Sequence, residues 1–570
     1  MRKMPINKQS FHLWPLAGLL FAAQVKSFAQ AAPDAGSILR QIERSFPAPT
    51  LPEVGPPVPV PSAEMPKGAG KTIVVSRFEF EGAKAVPVDE LKVALRGYLG
   101  RPLTIEELRN AAAQVALAYR TKGLLASASI ARQEVKDGVV KVTVSESRFG
   151  LPEVDASSTG RVKPSLLEGI VMRNVPADQI VDVYEVDRAL LLINDLPGTS
   201  VQGSLRAGDF KGTTDLVLVS SARPLTTGYV LADNTGSRST GEVRAVVNVT
   251  LDQPSGRGEQ YAADLMHTDG TDYARLGFSL PVSSGGARLS ASLSTMSYRL
   301  VSPEYVSAAV SGASHTFSTD VTIPLLRSRS ANLFGTCGLS GRWFTNRAAQ
   351  AVTSDYSGQS LNLGVNGNLY DGFAGGGVTT GSLSIDVGRI DLAGSPNFAA
   401  DQGGPRVNGW FGKLALSLGR TQQLGRNYSL ALNVRGQAGL HNLDSSEKFF
   451  LGGNNGVRSY PTSEGGGDLG VLSALEFRTN LTEGTQATLF FDHGWVAQNH
   501  DAGYPGGPAD NGLTYRGWGL GLSRRFESGA KLSLQWSRRI GENPRPSSSG
   551  ADQDGSLRID RFWGALSYNF

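Results

Sequence analysis

At 570 residues, with 69 glycines, 29 prolines and a mean hydropathy of -0.16, the chain is long enough for several domains and reads as strands and turns rather than as a helical enzyme. Its formal net charge of +4 comes without a long basic run, so there is no electrostatic footprint for nucleic acid. Cys337 is the single cysteine, which excludes an intrachain disulfide and a cysteine-based metal cluster, and no cofactor is expected.

Residues 1–31 have the three parts of a secretory signal peptide. Arg2, Lys3 and Lys8 form the positive start, 13–23 the apolar centre, and Ser27-Phe28-Ala29 or Ala29-Gln30-Ala31 the small-residue cleavage site. As a membrane anchor the run is too short, since a spanning helix takes about 20 residues. No other helical span of that length follows, so a membrane role requires a β-barrel. A bacterial type of secreted precursor fits these features.

Residues 32–45 follow as a short helix, with Asp34 as N-cap and Ile38, Leu39 and Ile42 on one face. Alone in water so short a helix is unstable, so it either docks or is disordered. Residues 46–70 form a proline-rich linker, including Pro56-Pro57, Pro59 and Pro61, which favours an extended polyproline course. At about 3.1 Å per residue, about twenty such residues reach roughly 60 Å. Gly68-Ala69-Gly70-Lys71-Thr72 mimics a phosphate-binding loop, but Met65 stands where the earlier glycine is needed, and a strand-like run follows. Nucleotide binding is therefore rejected.

Residues 71–147 read strand, helix, helix, strand, strand: alternation over 74–80, helical period over 88–99 and 105–122, then strands 127–133 and 139–145 across Lys136-Asp137-Gly138. Residues 148–222 repeat the plan, with helices 164–172 and 184–192 and strands 199–207 and 214–220. Two successive α+β modules expose sheet edges that either accept an extended chain as an added strand or serve only as spacers.

From 223 to 570 helical periodicity vanishes and about sixteen alternating segments of about ten residues follow, the pattern of outer-membrane strands. Connections 252–258, 283–286, 327–330, 372–375, 482–484 and 527–529 are short, while 391–405, 499–511 and 541–555 are long and polar. Short turns on one side and long loops on the other mark a membrane barrel with both ends in the periplasm. The last alternating stretch, Leu566 to Phe570, suits a closing strand that meets an interfacial aromatic girdle.

One connection, 442–469, is too long and glycine-rich to be a turn, and its 449–461 stretch reads FFLGGNNGVRSYP. Its apolar residues imply packing against something. Its central cation, Arg458, needs a carboxylate or a ring of acceptors if enclosed. The later segment LFFDHGWV puts Asp492 on the strand face opposite Phe491. No G-x-S-x-G or H-E-x-x-H motif occurs and the histidines are scattered, with His493 beside Asp492 read as wall packing. The expectation is that the chain is not an enzyme and holds no metal.

Signal, helix, proline linker, paired modules, barrel, VRSYP loop and terminal Phe together resemble the two-partner secretion transporters, the TpsB family, over essentially the whole mature chain. That family shares a superfamily with the barrel-assembly insertases. The resemblance implies a transmembrane β-barrel of about sixteen antiparallel strands, preceded by two POTRA domains and a plug helix bearing Ile38, Leu39 and Ile42. It implies that Val457, Arg458, Ser459 and Tyr460 match the family's VRGY tetrad in an inward-folded loop. Phe490, Asp492 and Gly494 then match its F-x-D-x-G motif on the barrel wall. Ser459 stands where the family has glycine. The implied partners are one large exoprotein of adhesin or haemolysin type with an N-terminal secretion signal domain, outer-membrane lipid, and the barrel-assembly machinery during biogenesis. The implied location is the outer membrane with the POTRA domains in the periplasm. A barrel-assembly insertase and a general diffusion porin are the rival readings.

Overall fold

The computed structural model describes residues 32–46, 72–547 and 549–570. The expected signal peptide, the linker after Phe46 and the Gly68 to Lys71 run lie outside the described residues. From residue 226 onward the two-residue alternation becomes one closed sheet of sixteen strands, each antiparallel to its neighbours. These are β1 Thr226–Asp233, β2 Arg244–Asp252, β3 Gln260–His267, β4 Thr271–Pro281, β5 Arg288–Arg299, β6 Ser311–Arg327, β7 Ala331–Ala348 and β8 Ala351–Asp371. The second half comprises β9 Gly377–Asp391, β10 Gly409–Gln423, β11 Tyr428–Gly439, β12 Leu469–Thr482, β13 Thr485–Ala497, β14 Gly512–Arg525, β15 Ala530–Arg539 and β16 Asp560–Asn569.

Alternation decides which face meets lipid. On β8 Leu361, Leu363 and Val365 stand exposed on the outer face, whereas Asn362 turns inward and donates to Asp386 Oδ1 at 2.9 Å. Serine rungs continue the polar interior, with Ser292 against Ser318 and Ser340 against Ser360, both at 2.8 Å. So much exposed leucine and valine would be a liability in water and is at home in hydrocarbon. Closure of β16 onto β1, Ala565 to Asn569 against Asp233 to Tyr229, leaves no unpaired sheet edge in the bilayer. Among the described residues no helix is long and apolar enough to cross a membrane; the strands do the crossing.

Strand length departs from expectation. β6, β7 and β8 run 17, 18 and 21 residues rather than about ten. The β7–β8 hairpin continues past its neighbours and stacks Phe344 on Tyr356, ring centroids 5.0 Å apart, in the interior. All six expected short turns lie at the end where β1 begins, and the three long loops lie at the other. The outer connections are not uniformly long, because β7 and β8 are joined by Ala349 and Gln350 alone, at φ 45° and 68°.

Each periplasmic unit packs two helices on a three-stranded sheet in which one strand pair is parallel and one antiparallel. In the first unit the expected strand 127–133 ends at Ser129. There the Gln133 side chain replaces the ladder, accepting from Lys141 N at 2.8 Å and donating to Lys141 O at 2.9 Å. The second unit stands on the barrel through the end of its helix Val183–Asn194. Arg327, 2% exposed, donates to both oxygens of Asp195 at 2.7 and 2.8 Å, and Arg329 pairs with Asp187.

The N-terminal helix Ala35–Ser45 is capped by Asp34, whose Oδ1 accepts from Ser37 N at 2.9 Å while Ser37 Oγ accepts from Asp34 N at 3.1 Å. Of the two outcomes open to it, it docks, and it does so inside the barrel. Ile38, Leu39 and Ile42 are buried on a shelf of inward side chains. The shelf follows one row of cross-strand partners: Val246, Met266, Tyr273, Met296, Ser314, Phe344 and Tyr356.

Candidate functional site

The connection between β11 and β12 folds into the lumen as a hairpin. Phe449 and Phe450 pair with Gly467 and Gly466, and the tip closes through Val457 N donating to Leu451 O at 2.7 Å and Gly453 N donating to Tyr460 O at 3.1 Å. Leu451, Val457 and Tyr460 are fully buried against Leu472, Val496, Leu513 and Tyr515. Gly494 makes the approach possible, since a Cβ there would lie 2.8 Å from Leu451 Cδ2 and 3.2 Å from Val457 Cγ2.

Arg458 is held from every side. Its Nε and Nη2 donate to Asp492 Oδ2 and Oδ1 at 2.9 and 2.7 Å, and its main-chain N donates to the same Oδ2 at 3.0 Å. Nη1 donates to Glu476 Oε1 at 2.8 Å, and the guanidinium carbon sits 3.5 Å from the Phe490 ring centroid. Its carbonyl accepts from Ser537 Oγ at 2.7 Å and Trp563 Nε1 at 2.8 Å. One residue thereby links β12, β13, β15 and β16. Bidentate, charge-assisted bonds of this kind are the strong ones, and Asp492, at 0% exposed, has no water to fall back on. Sequence reasoning named Arg458, Asp492, Phe490, Val457, Tyr460 and Gly494, and the structure brings them together. It missed Glu476, Ser537 and Trp563, which alternation places on the inward face without saying which loop atom they meet.

Ser459 keeps an ordinary backbone, since no positive φ occurs at it. Its Oγ is 3.4 Å from Arg516 O, and its side chain lies against Gly517 of β14. A Cβ at Gly517 would lie 2.8 Å from Ser459 Cβ and collide with its Oγ. The glycine missing from the tetrad has a counterpart on the wall. Gly517→Ala is expected to reduce secretion several-fold, and Ser459→Gly added to it is expected to restore secretion; a double variant no better than Gly517→Ala refutes the compensation.

The same loop grips the N-terminal helix. Ser445 Oγ donates to Asp34 Oδ2 at 2.8 Å, Arg44 Nη1 donates to Phe450 O at 2.7 Å, and Asn455 Nδ2 donates to Arg44 O at 3.2 Å. Gly36 permits the contact, because a Cβ there would meet Ser445 Oγ at 2.5 Å and Ser446 N at 3.0 Å. From the wall, Asn346 Oδ1 accepts from Ala35 N at 2.8 Å. Glu447, beside the helix, pairs with Lys413 and Arg342. Burial alone would raise its carboxyl, but Lys413 and Arg342 outweigh burial and hold it at about 2.

On its other flank the loop meets the outer connection 540–559. Glu464, fully buried, accepts from Gln553 N at 2.8 Å and Asn543 Nδ2 at 3.0 Å. Burial, with Asp552 and Asp554 nearby, raises its carboxyl from the ordinary 4.5 to about 7. A raised acid binds its proton more tightly when docked, so the loop contact is strongest in acid, weakens as pH rises from 4.5 to about 7, and stays weaker above. Pore openings are expected to be rarer at about pH 5 than at about pH 8. Glu464→Gln should flatten that dependence, and an unchanged pH response in the variant would count against this role of the Glu464 contact.

Among the described residues no group of His, Cys, Asp and Glu is arranged to hold a metal ion. A closed sixteen-stranded barrel with a lipid-facing apolar belt, an internal helix, an inward loop and two α+β units at one end defines an outer-membrane transport barrel with periplasmic modules. The family model described as haemolysin secretion/activation protein ShlB/FhaC/HecB matches residues 212–523, and a POTRA domain of ShlB type matches 73–147. The chain belongs to this family. It is similar to the heme/hemopexin transporter protein HuxB of Haemophilus influenzae, 24% identical over 446 residues, covering 77% of this chain and 78% of that one. The solved structure of CdiB from Escherichia coli superposes with a TM-score of 0.70 at 18% identity, covering 95% of this chain and 100% of that one. BamA from Haemophilus ducreyi lacking POTRA domains 1–3 shares the fold at a TM-score of 0.53 and 13% identity, covering 88% and 100%. The chain is thus an outer-membrane transporter of two-partner secretion that exports a large secreted partner, with its POTRA domains in the periplasm.

Proposed function

We propose that the N-terminal helix and the inward loop together plug the barrel at rest, and that the Arg458 to Asp492 tie fixes the loop while the helix withdraws to admit the partner. The observation that carries this reading is the pair of grips on one loop: Arg458 holds it to the wall, while Ser445, Phe450 and Asn455 hold the helix to it. A sixteen-stranded barrel is otherwise wide enough for a water-filled channel. A steadily open diffusion porin would have no use for either grip.

The exported partner carries an N-terminal secretion signal domain and is of adhesin or haemolysin type. It is first captured as an added strand on a POTRA sheet edge, then threads the lumen unfolded. Export draws on binding steps and on folding outside, and the chain acts as a transporter and not as an enzyme. Outer-membrane lipid surrounds the strands, and the barrel-assembly machinery inserts them. The test is to read the adjacent reading frame for a very large secreted protein and to co-express that exoprotein with this chain. The exoprotein should reach the medium with the full chain and remain in the periplasm without it; depletion that instead harms many outer-membrane proteins would favour an insertase.

A further inference from the structure

Most charged side chains buried in the lumen have a carboxylate. Arg458 has Asp492 and Glu476, Arg342 and Lys413 share Glu447, and Arg244 grips Asp233 at 2.9 Å. Arg40, Arg44 and Arg435 have none among the described residues. Arg44 rests on the Phe450 carbonyl and beside the Phe449 ring, 5.9 Å away. Arg435 on β11 donates to the Asn455 carbonyl. Arg40 Nε is buried with no hydrogen-bond partner, as are Gln41 Nε2 and Asn454 Oδ1. Arg44 feels both of the others: burial, then Arg435, then Arg40 lower it to about 9. Glu447, whose field reaches Arg40, is already taken by two other cations, and Glu43 acts towards Arg342 and Tyr273.

We infer that Arg40, Arg44 and Arg435 form a receptor in the lumen for an acidic stretch of the exported polypeptide, whose carboxylates displace the loop carbonyls that now hold Arg44 and Arg435 and give Arg40 Nε the partner it lacks. This rests on the reading of the lumen as the export path. A carboxylate adds charge–charge attraction to the hydrogen bond and can accept a guanidinium in a bidentate fork, neither of which a single neutral carbonyl offers, so the exchange runs towards the carboxylate. Space is present beside Arg44: a cavity of about 60 Å³ is lined by Gln41, Arg44, Asn454 and Asn455, and Arg435 borders it only through its bond to Asn455. It shares Ser45 and Arg244 with a second cavity of about 200 Å³ that reaches Asn569 at the POTRA end of β16. The exchange has a mechanical consequence. Taking Arg44 from Phe450 cuts one of the two bonds between the end of the helix and the loop, and drawing Arg435 off Asn455 disturbs the residue that makes the other. An acidic cargo would thereby loosen the plug that blocks it, while a neutral chain would not.

The test places the full-length protein in planar bilayers and adds deca-glutamate, deca-glutamine, deca-lysine or free glutamate on the POTRA side. Deca-glutamate should raise the opening frequency at about a tenfold lower concentration than deca-glutamine. Arg40→Gln with Arg435→Gln should remove that difference. Arg435→Glu should shift the preference towards deca-lysine, which keeps the test decisive if the double variant alone unseats the helix. Equal responses to the acidic and neutral peptides, an unaltered preference in both variants, or free glutamate matching the peptide at equal charge each overturn the inference. Secretion of the exoprotein by the unaltered chain is read in parallel: its persistence without peptide discrimination overturns this inference alone, and its absence overturns the export reading.

Discussion

Arg458→Ala is expected to abolish secretion or cut it by at least about tenfold while the barrel still inserts, because removing one partner of a buried ion pair costs about 3 to 5 kcal/mol. The loss has three parts. Asp492, fully buried, is left with only the main-chain N–H of residue 458. Glu476 keeps Arg478 and is less disturbed. The Phe490 ring loses its cation. Asp492→Ala should be somewhat milder than Arg458→Ala, since Glu476 remains to hold the guanidinium at 2.8 Å. Arg458→Lys should behave like the alanine variant, because an ammonium cannot reproduce the planar fork that spans both Asp492 oxygens and Glu476. The measurement is exoprotein in the medium against heat-modifiable barrel in the outer membrane. Full secretion by Arg458→Ala would remove the tie from the mechanism.

The second large effect concerns the other grip. Gly36→Leu should leave a steadily conducting pore, because even its Cβ would lie 2.5 Å from Ser445 Oγ and 3.0 Å from Ser446 N. The milder Gly36→Ala separates packing from helix propensity. Alanine stabilises a helix by about 1 kcal/mol over glycine, so a propensity effect would close the pore more firmly. A contact effect opens it. Single-channel recordings that show Gly36→Ala with more open time support the seat described here, and less open time in both variants contradicts it.

How far the sequence carries can be judged from these same residues. The barrel is legible because a lipid-facing strand must alternate, so Leu361, Leu363 and Val365 or Leu414, Leu416 and Leu418 announce themselves. The helix is legible from Asp34 and the spacing of Ile38, Leu39 and Ile42, and a partner for Arg458 could be sought because an enclosed cation requires a carboxylate or a ring of acceptors. What receives the helix could not be read. The shelf from Val246 to Tyr356 exists only once the register of β2 to β8 is fixed, and its members are scattered over more than a hundred positions. Gly36 looks like a weak helix residue until Ser445 is seen against it. Ser537 and Trp563 reach Arg458 through its carbonyl, an atom every residue has, so no side-chain motif could reveal them. The long β6 to β8 strands were missed because a strand that leaves the bilayer loses the alternation that marks it.

The most direct measurement locks the helix to the loop. Asp34→Cys with Ser445→Cys, in a Cys337→Ser background, puts one thiol at the position of Ser445 Oγ and the other one bond short of Asp34 Oδ2, the two atoms that now lie 2.8 Å apart. With the cross-link formed, secretion should stop, and a reductant should restore it in the same cells. Undiminished secretion by the fully cross-linked protein would show that the partner leaves without the helix parting from the loop.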